Sequence, residues 1–227
     1  MTHAALPLRG DAEHVRAVVF DLWDTLVDWP AQPWDEYKRD FAQRLGLPLE
    51  RFEEQWLETY PLRETGQLEQ SLRLLGADDA AIAEFVPRRY AIIHEALVPR
   101  PGALETLDEL RARGFKVGLI SVCGDEVPEA WPETPFAGRF DAEVFSSVCG
   151  LMKPDPRIYL LAARELGVEP EECLFVGDGA NDELPGAREV GMEPVLIHRP
   201  GGAPAWKSLA NWTGLRVTSV PEVLDLL

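Results

Sequence analysis

The sequence predicts a doubly wound parallel α/β core with a small all-helical domain inserted after its first strand. Three observations carry that prediction. Short apolar runs rich in β-branched residues recur along the chain, strand and helix patterns alternate after Pro99, and residues 29–98 interrupt that alternation with helical periodicity alone. A strand buried on both faces reads as a continuous apolar run, and strand–helix alternation implies a parallel sheet joined by right-handed crossovers. The expected division is a Rossmann-like core of residues 1–28 and 99–227 and a helical cap of residues 29–98.

Residues 1–14 mix small, polar and charged types without a period and read as a loose lead-in. Val15–Leu22 (VRAVVFDL) is the first strand, stopped by an aspartate. Four helices follow, over Trp34–Leu45, Leu49–Thr59, Gln67–Leu75 and Asp79–Leu97. Pro33 and Gly46 suit the start and end of the first, and Pro61 bounds the second. Asp78 and Asp79 offer caps to the fourth, and Pro87 inside it predicts a kink or a break. Ala103–Arg113 is an amphipathic helix ending at Gly114, and Lys116–Ser121 is a strand. Ala142–Ser147 is a shorter strand, and the proline-rich piece before it, Pro128–Pro135, reads as irregular. Arg157–Leu166 is a helix stopped by Gly167; Cys173–Gly177 is an apolar strand followed by a helix over Glu183–Val190. Glu193–His198 and Leu215–Val217 complete the strands.

Composition narrows the function. The 227 residues are 46% hydrophobic and include seven tryptophans, enough to bury a substantial core. With 39 acidic against 22 basic side chains the formal charge is −17, which repels nucleic-acid phosphates and anionic membrane surfaces. No stretch reaches the ~20 apolar residues of a membrane span, and the N-terminus lacks the apolar run of a signal peptide. Cys123, Cys149 and Cys173 are odd in number and far apart, and the four histidines are scattered, which argues against a disulfide framework or a zinc site. The chain reads as a soluble, cytoplasmic protein whose partner is a small molecule, with its oligomeric state left open.

Ligands of open α/β sheets bind beyond the carboxyl ends of the strands, and three predicted strands end there in polar residues: Asp21, Ser121 and Asp178. Lys153 adds a cation in the loop GLMKPDP. Taken singly, each is an ordinary turn, cap or loop residue, and Asp182 in GDGAND suits a helix cap. Converging at one sheet edge, they match the parts of a magnesium-assisted phosphoryl transfer. A carboxylate serves as nucleophile, while a hard cation and fixed donors offset the charge of an anionic phosphate. Magnesium takes oxygen ligands, and lysine supplies a point charge.

With VVFDLWDTLVD (Val18–Asp28), GLIS (Gly118–Ser121), GLMKPDPRIY (Gly150–Tyr159) and LFVGDGANDELPGA (Leu174–Ala187) in order, the chain resembles the haloacid dehalogenase-like hydrolase superfamily over nearly its whole length. The resemblance implies Asp21 as nucleophile, with Ser121 and Lys153 binding phosphate or stabilising the nucleophile. It implies Mg2+ held by Asp21, Asp178 and the backbone carbonyl of Trp23, with Asp182 in support, and an anionic small-molecule substrate under a helical cap. One position departs from the pattern. Family phosphatases usually carry a general-acid aspartate two residues after the nucleophile, and here that residue is Trp23. A general acid is typically worth on the order of 10²–10⁴-fold, and Asp24, one step further along extended chain, faces the other way. The dehalogenase branch also has an aromatic there and uses no metal, so a 2-haloacid dehalogenase with Asp21 as nucleophile is the alternative. Against it stand the acidic GDGAND and Val122 in place of the asparagine that follows the serine in dehalogenases. Arg39, Arg44, Arg51 and Arg63 are cap arginines that could hold a substrate carboxylate. Lys38 is the sole cap lysine for a phosphonate-cleaving variant. A degenerate binder, with Trp29, Trp34 and Trp56 as interface anchors, is a further alternative.

Overall fold

The computed structural model describes residues 14–198, 209 and 212–227, so the expected lead-in lies, except for His14, outside the described residues. Six parallel strands, β1 (Ala17–Phe20), β2 (Lys116–Ser121), β3 (Ala142–Phe145), β4 (Cys173–Gly177), β5 (Glu193–Ile197) and β6 (Leu215–Val217), form one sheet in the order β3-β2-β1-β4-β5-β6. The doubly wound prediction holds, and β2, β4 and β6 have the predicted limits. β1 is shorter than the apolar run, although its pairing spills over at both ends: Asp21 N–H donates to Val176 O (2.8 Å) and Arg16 N–H to Glu172 O (2.8 Å). The strand order reverses between β1 and β4, which opens a crevice beyond their carboxyl ends.

Alternation along the strands divides the core into two layers. Val18 and Phe20 face one side with Leu107, Leu110, Val220 and Val223, whereas Ala17 and Val19 face the other with Ile158, Ala162, Leu184 and Ala187. Helices therefore cover both faces: α6 (Ala103–Ala112) belongs to the first layer, and α9 (Pro156–Leu166) and α10 (Glu183–Glu189) to the second.

Between β1 and α6 the chain forms a helical insertion of α1 (Ala31–Arg44), α2 (Leu49–Glu58), α3 (Tyr60–Arg63), α4 (Leu68–Leu74) and α5 (Asp79–Ala96). Asp78 caps α5 as expected, its side chain accepting from Ala81 N–H at 2.8 Å. The insertion packs around rings; Phe41 stacks on Phe85 at 4.4 Å, and Trp34 and Trp56 are both 8% exposed. Trp34 and Trp56 are thus packing residues rather than surface anchors.

Three expectations are corrected. Of the kink or break expected at Pro87, the break does not occur: α5 is continuous through it, losing the bond to Ala83 O while Phe85 and Arg89 on either side are buried. Pro128–Pro135 is not irregular throughout, because α7 (Glu126–Ala130) takes Pro128 into its first turn, where the missing N–H costs nothing. A 3₁₀ turn over Trp131–Glu133 follows, and Trp131 stacks on Phe136 at 5.4 Å. Finally, β3 stops at Phe145 and turns directly into α8 (Ser146–Cys149). Among the described residues, no helix is long and apolar enough to cross a membrane.

Candidate active site

Adjacent strands ending at one sheet edge bring distant residues together. Asp21 follows β1, Asp178 follows β4, and the loop before α9 delivers Lys153. The Lys153 ammonium donates to Asp21 Oδ1 and Glu183 Oε2, both at 2.5 Å, and to Ile120 O at 3.3 Å. Carboxylate oxygens of Asp21, Asp178 and Glu183 lie within 4.8 Å of one another, and all three residues are buried. Glu183 was not singled out in the sequence. Its Oε1 accepts from Gly179 N–H at 2.8 Å, and a Cβ at Gly177 would come within 2.1 Å of it, so only glycine lets the strand end pass this carboxylate.

Three buried carboxylates against one ammonium leave an excess of negative charge. Burial pushes the Asp178 carboxyl up to about 6, aided by the charge of Asp21 and opposed by Ala180 N–H and Lys153. Burial also raises Glu183, with Asp21 and Asp178 adding to the shift and Lys153 opposing it. Burial alone would discharge Lys153, but Asp21 and Glu183 outweigh it and hold the ammonium well above the usual lysine range. A cluster of this kind, all oxygen donors with surplus negative charge, fits a hard divalent cation.

Ser121 ends β2 fully buried, and its hydroxyl has no hydrogen-bond partner among the described residues. Such a group costs about 1–3 kcal/mol unless something satisfies it. Trp23 is half-buried on the cavity wall, edge-on to Trp29 at 5.0 Å. Asp24 reaches the cavity rim but is committed to the loop: with φ at 55° it accepts from Trp29 N–H at 3.2 Å and pairs with Arg100 at 3.3 Å. Asp182 is solvent-exposed in a left-handed conformation, makes no capping bond to α10, and lies outside the carboxylate cluster; Glu183 occupies the position expected of it.

Arg100 clamps the loop that follows Asp21. Its side chain, 8% exposed, donates to Asp24 O, to Thr25 O at 3.0 Å and to Asp28 Oδ1 at 2.7 Å. Arg100→Met is expected to cost about 2 kcal/mol. In thermal denaturation that is a fall of about 4–8 °C in midpoint.

The strand-end residues form one side of a cavity of about 440 Å3, and the helical insertion supplies Leu57, Tyr60, Glu64, Arg89 and Ile93. Tyr60 Oη accepts from Asn181 Nδ2 at 3.3 Å, tying the insertion to the GDGAND loop. None of the arginines considered from sequence lines the cavity: Arg39 and Arg51 are exposed, Arg44 pairs with Asp78 and Glu84, and Arg63 is buried 3.8 Å over the Trp56 ring. Lys38 pairs with Asp35 and Glu53 and is likewise outside it. Arg89 is the arginine that does line it. Its spacing on the buried face of α5, four residues from both Phe85 and Ile93, is the sequence signal that would have found it.

Comparison with known proteins gives the class to which this fold and site belong. The family model for haloacid dehalogenase-like hydrolases matches residues 15–191, and the chain belongs to that family. It is 33% identical over 205 residues to a glyceraldehyde 3-phosphate phosphatase of Methanopyrus kandleri, covering 82% of this chain and 84% of that one. It is 36% identical to (S)-2-haloacid dehalogenase 4A of Burkholderia cepacia, but over only 50% of this chain and 49% of that one. The crystal structure of a phosphatase of the family from Thermococcus onnurineus superposes with a TM-score of 0.70 at 21% identity, covering 93% and 97% of the two chains.

Proposed function

We propose that the protein is a magnesium-dependent phosphatase of small organic phosphates, with Asp21 as nucleophile and the helical insertion of residues 29–98 as a cap over the site. The observation that carries this reading is the buried group of Asp21, Asp178 and Glu183 around Lys153. A dehalogenating site needs a single nucleophilic carboxylate, whereas this one gathers three with surplus charge. Several relatives that match most of both chains are named phosphatases, whereas (S)-2-haloacid dehalogenase 4A matches over half of each; solved dehalogenase structures share the fold over nearly the whole chain.

In this reading an Asp21 oxygen attacks phosphorus, the ester oxygen leaves, and water then hydrolyses the aspartyl-phosphate to return the carboxylate. Lys153, in contact with Asp21, balances charge as the phosphoryl group arrives. The unpartnered Ser121 hydroxyl is available to a phosphoryl oxygen. Mg2+ held by Asp21 and Asp178, with the backbone carbonyl of Trp23, would neutralise phosphate charge. Glu183 acts through Lys153 and Gly179 N–H, fixing both, and the exposed Asp182 would support the metal directly or through water. With an indole at position 23 and Asp24 committed to its loop, the position two residues after the nucleophile offers no carboxyl to protonate the leaving group, which favours esters with acidic leaving groups or protonation through the substrate itself.

The test is a panel of phosphate esters and 2-haloacids with and without EDTA. The expected result is phosphate release that EDTA abolishes and Mg2+ restores. Halide release that survives EDTA would overturn the phosphatase reading in favour of the dehalogenase.

A further inference from the structure

The same cavity carries a second set of charged side chains, separate from the carboxylates around Lys153. Arg89 on α5, 2% exposed, places Nη2 2.5 Å from Glu126 Oε1 of α7 and 3.6 Å from Glu64 Oε1. Its carbon centre sits 4.8 Å from the Trp34 ring. The pair is buried but not saturated: Arg89 Nε and Nη1 and Glu126 Oε2 have no hydrogen-bond partner among the described residues. Gly124, which also lines the cavity, keeps this face open, because a Cβ there would stand 2.4 Å from Glu126 Oε2 and 2.7 Å from Arg89 Nη2. Unsatisfied donors and an unsatisfied acceptor, on side chains that line the cavity, are complementary to a group that both accepts and donates.

Charge decides which group. The guanidinium already faces two carboxylates, so this end of the cavity offers no net positive charge. Burial pushes Glu64 up to about 7, with Arg89 opposing, Glu126 adding and Arg63 opposing, so guanidiniums and carboxylates are closely matched at this end. A substrate carboxylate here would meet like charge, whereas a hydroxyl or carbonyl can accept from Arg89 and donate to Glu126 without any charge being moved.

Resting on the phosphatase reading above, we infer that Arg89, Glu126 and Glu64 are specificity-determining residues that select phosphate esters whose other end is uncharged and hydroxyl-bearing, short polyol or hydroxyaldehyde phosphates, over those ending in a carboxylate. The inference concerns residues contributed jointly by the insertion and the core, so the discriminating end exists only when the two are together.

Glycerol 3-phosphate and 3-phosphoglycerate test it, since they differ chiefly in a hydroxymethyl against a carboxylate, and acetyl phosphate serves as a substrate with neither group. The wild-type protein is expected to prefer glycerol 3-phosphate by about tenfold or more in kcat/KM. Glu126→Gln, which uncovers the Arg89 charge without changing side-chain size, is expected to lower that ratio about tenfold. Glu64→Gln moves it the same way and carries the test if Glu126→Gln fails to fold. Acetyl phosphate hydrolysis without a wild-type preference between the two esters, or a ratio unmoved by either substitution, overturns the inference and leaves the phosphatase reading intact. Failure to hydrolyse all three overturns the phosphatase reading and the inference with it.

Discussion

Asp21→Asn is expected to reduce phosphate release on the order of 10³-fold or more, the loss typical of removing a nucleophile outright. The substitution keeps the shape of the side chain and the backbone bond to Val176 O, so the sheet edge stays in place. What disappears is the charge that faces Lys153 and the oxygen able to form an acyl phosphate. Steady-state phosphate release, paired with mass spectrometry of the intact protein after quenching with acid, checks both halves of the claim: the parent forms a phosphoryl adduct and the variant does not. Activity comparable to the parent would place the nucleophile elsewhere and remove the common basis of the phosphatase and dehalogenase readings.

Lys153→Met is the second large effect, and it falls on stability as well as activity. Removing one partner from a buried ion pair strands the others, at a typical cost of about 3–5 kcal/mol. Here Asp21 and Glu183 both lose their ammonium contact in a site where Lys153 is 2% and Glu183 0% exposed. The pH dependence has a definite sign. Asp178 and Glu183 are already raised above their ordinary values in the parent, and losing the lysine raises them further. A carboxyl whose folded pKa is raised contributes stability below its unfolded value, and that contribution is lost as pH climbs through the folded one. The deficit of the metal-free variant is therefore expected to widen as pH climbs past the parent's folded Asp178 value of about 6. Urea denaturation of parent and variant at several pH values in the presence of EDTA measures it; a deficit that narrowed with rising pH would contradict the charge balance assigned to the site.

The fold was legible because its strands are buried on both faces and so stand out as apolar runs; KVGLIS and CLFVG end in the structure where the pattern ends. The site was legible in outline for the same reason, since parallel strands must deliver Asp21 and Asp178 to one edge. What the pattern did not contain was the direction of side chains in tight turns. Asn181 and Asp182 both adopt φ of 53°, and that pair of left-handed residues turns Asp182 to solvent and presents Glu183, one position later, to Lys153. Composition cannot separate two adjacent acids; the backbone between them does. Arg89 was missed on different grounds. A buried arginine contradicts the polar face expected of it, and its burial is tolerable because Glu126, far along the chain on α7, and Glu64 face it.

The indoles that join the strand end to the insertion have an optical consequence. Trp23 on the cavity wall meets Trp29 at 5.0 Å, and Trp29 meets Trp34 at 5.1 Å, a spacing over which excitation passes readily between rings. Trp34 in turn lies against the Arg89 guanidinium. Light absorbed anywhere along this row samples the surroundings of Asp21, the interior of the insertion and the Arg89 pair. The protein thus carries a built-in, label-free fluorescence reporter whose emission couples the occupancy of its cavity to the packing of the helices above it.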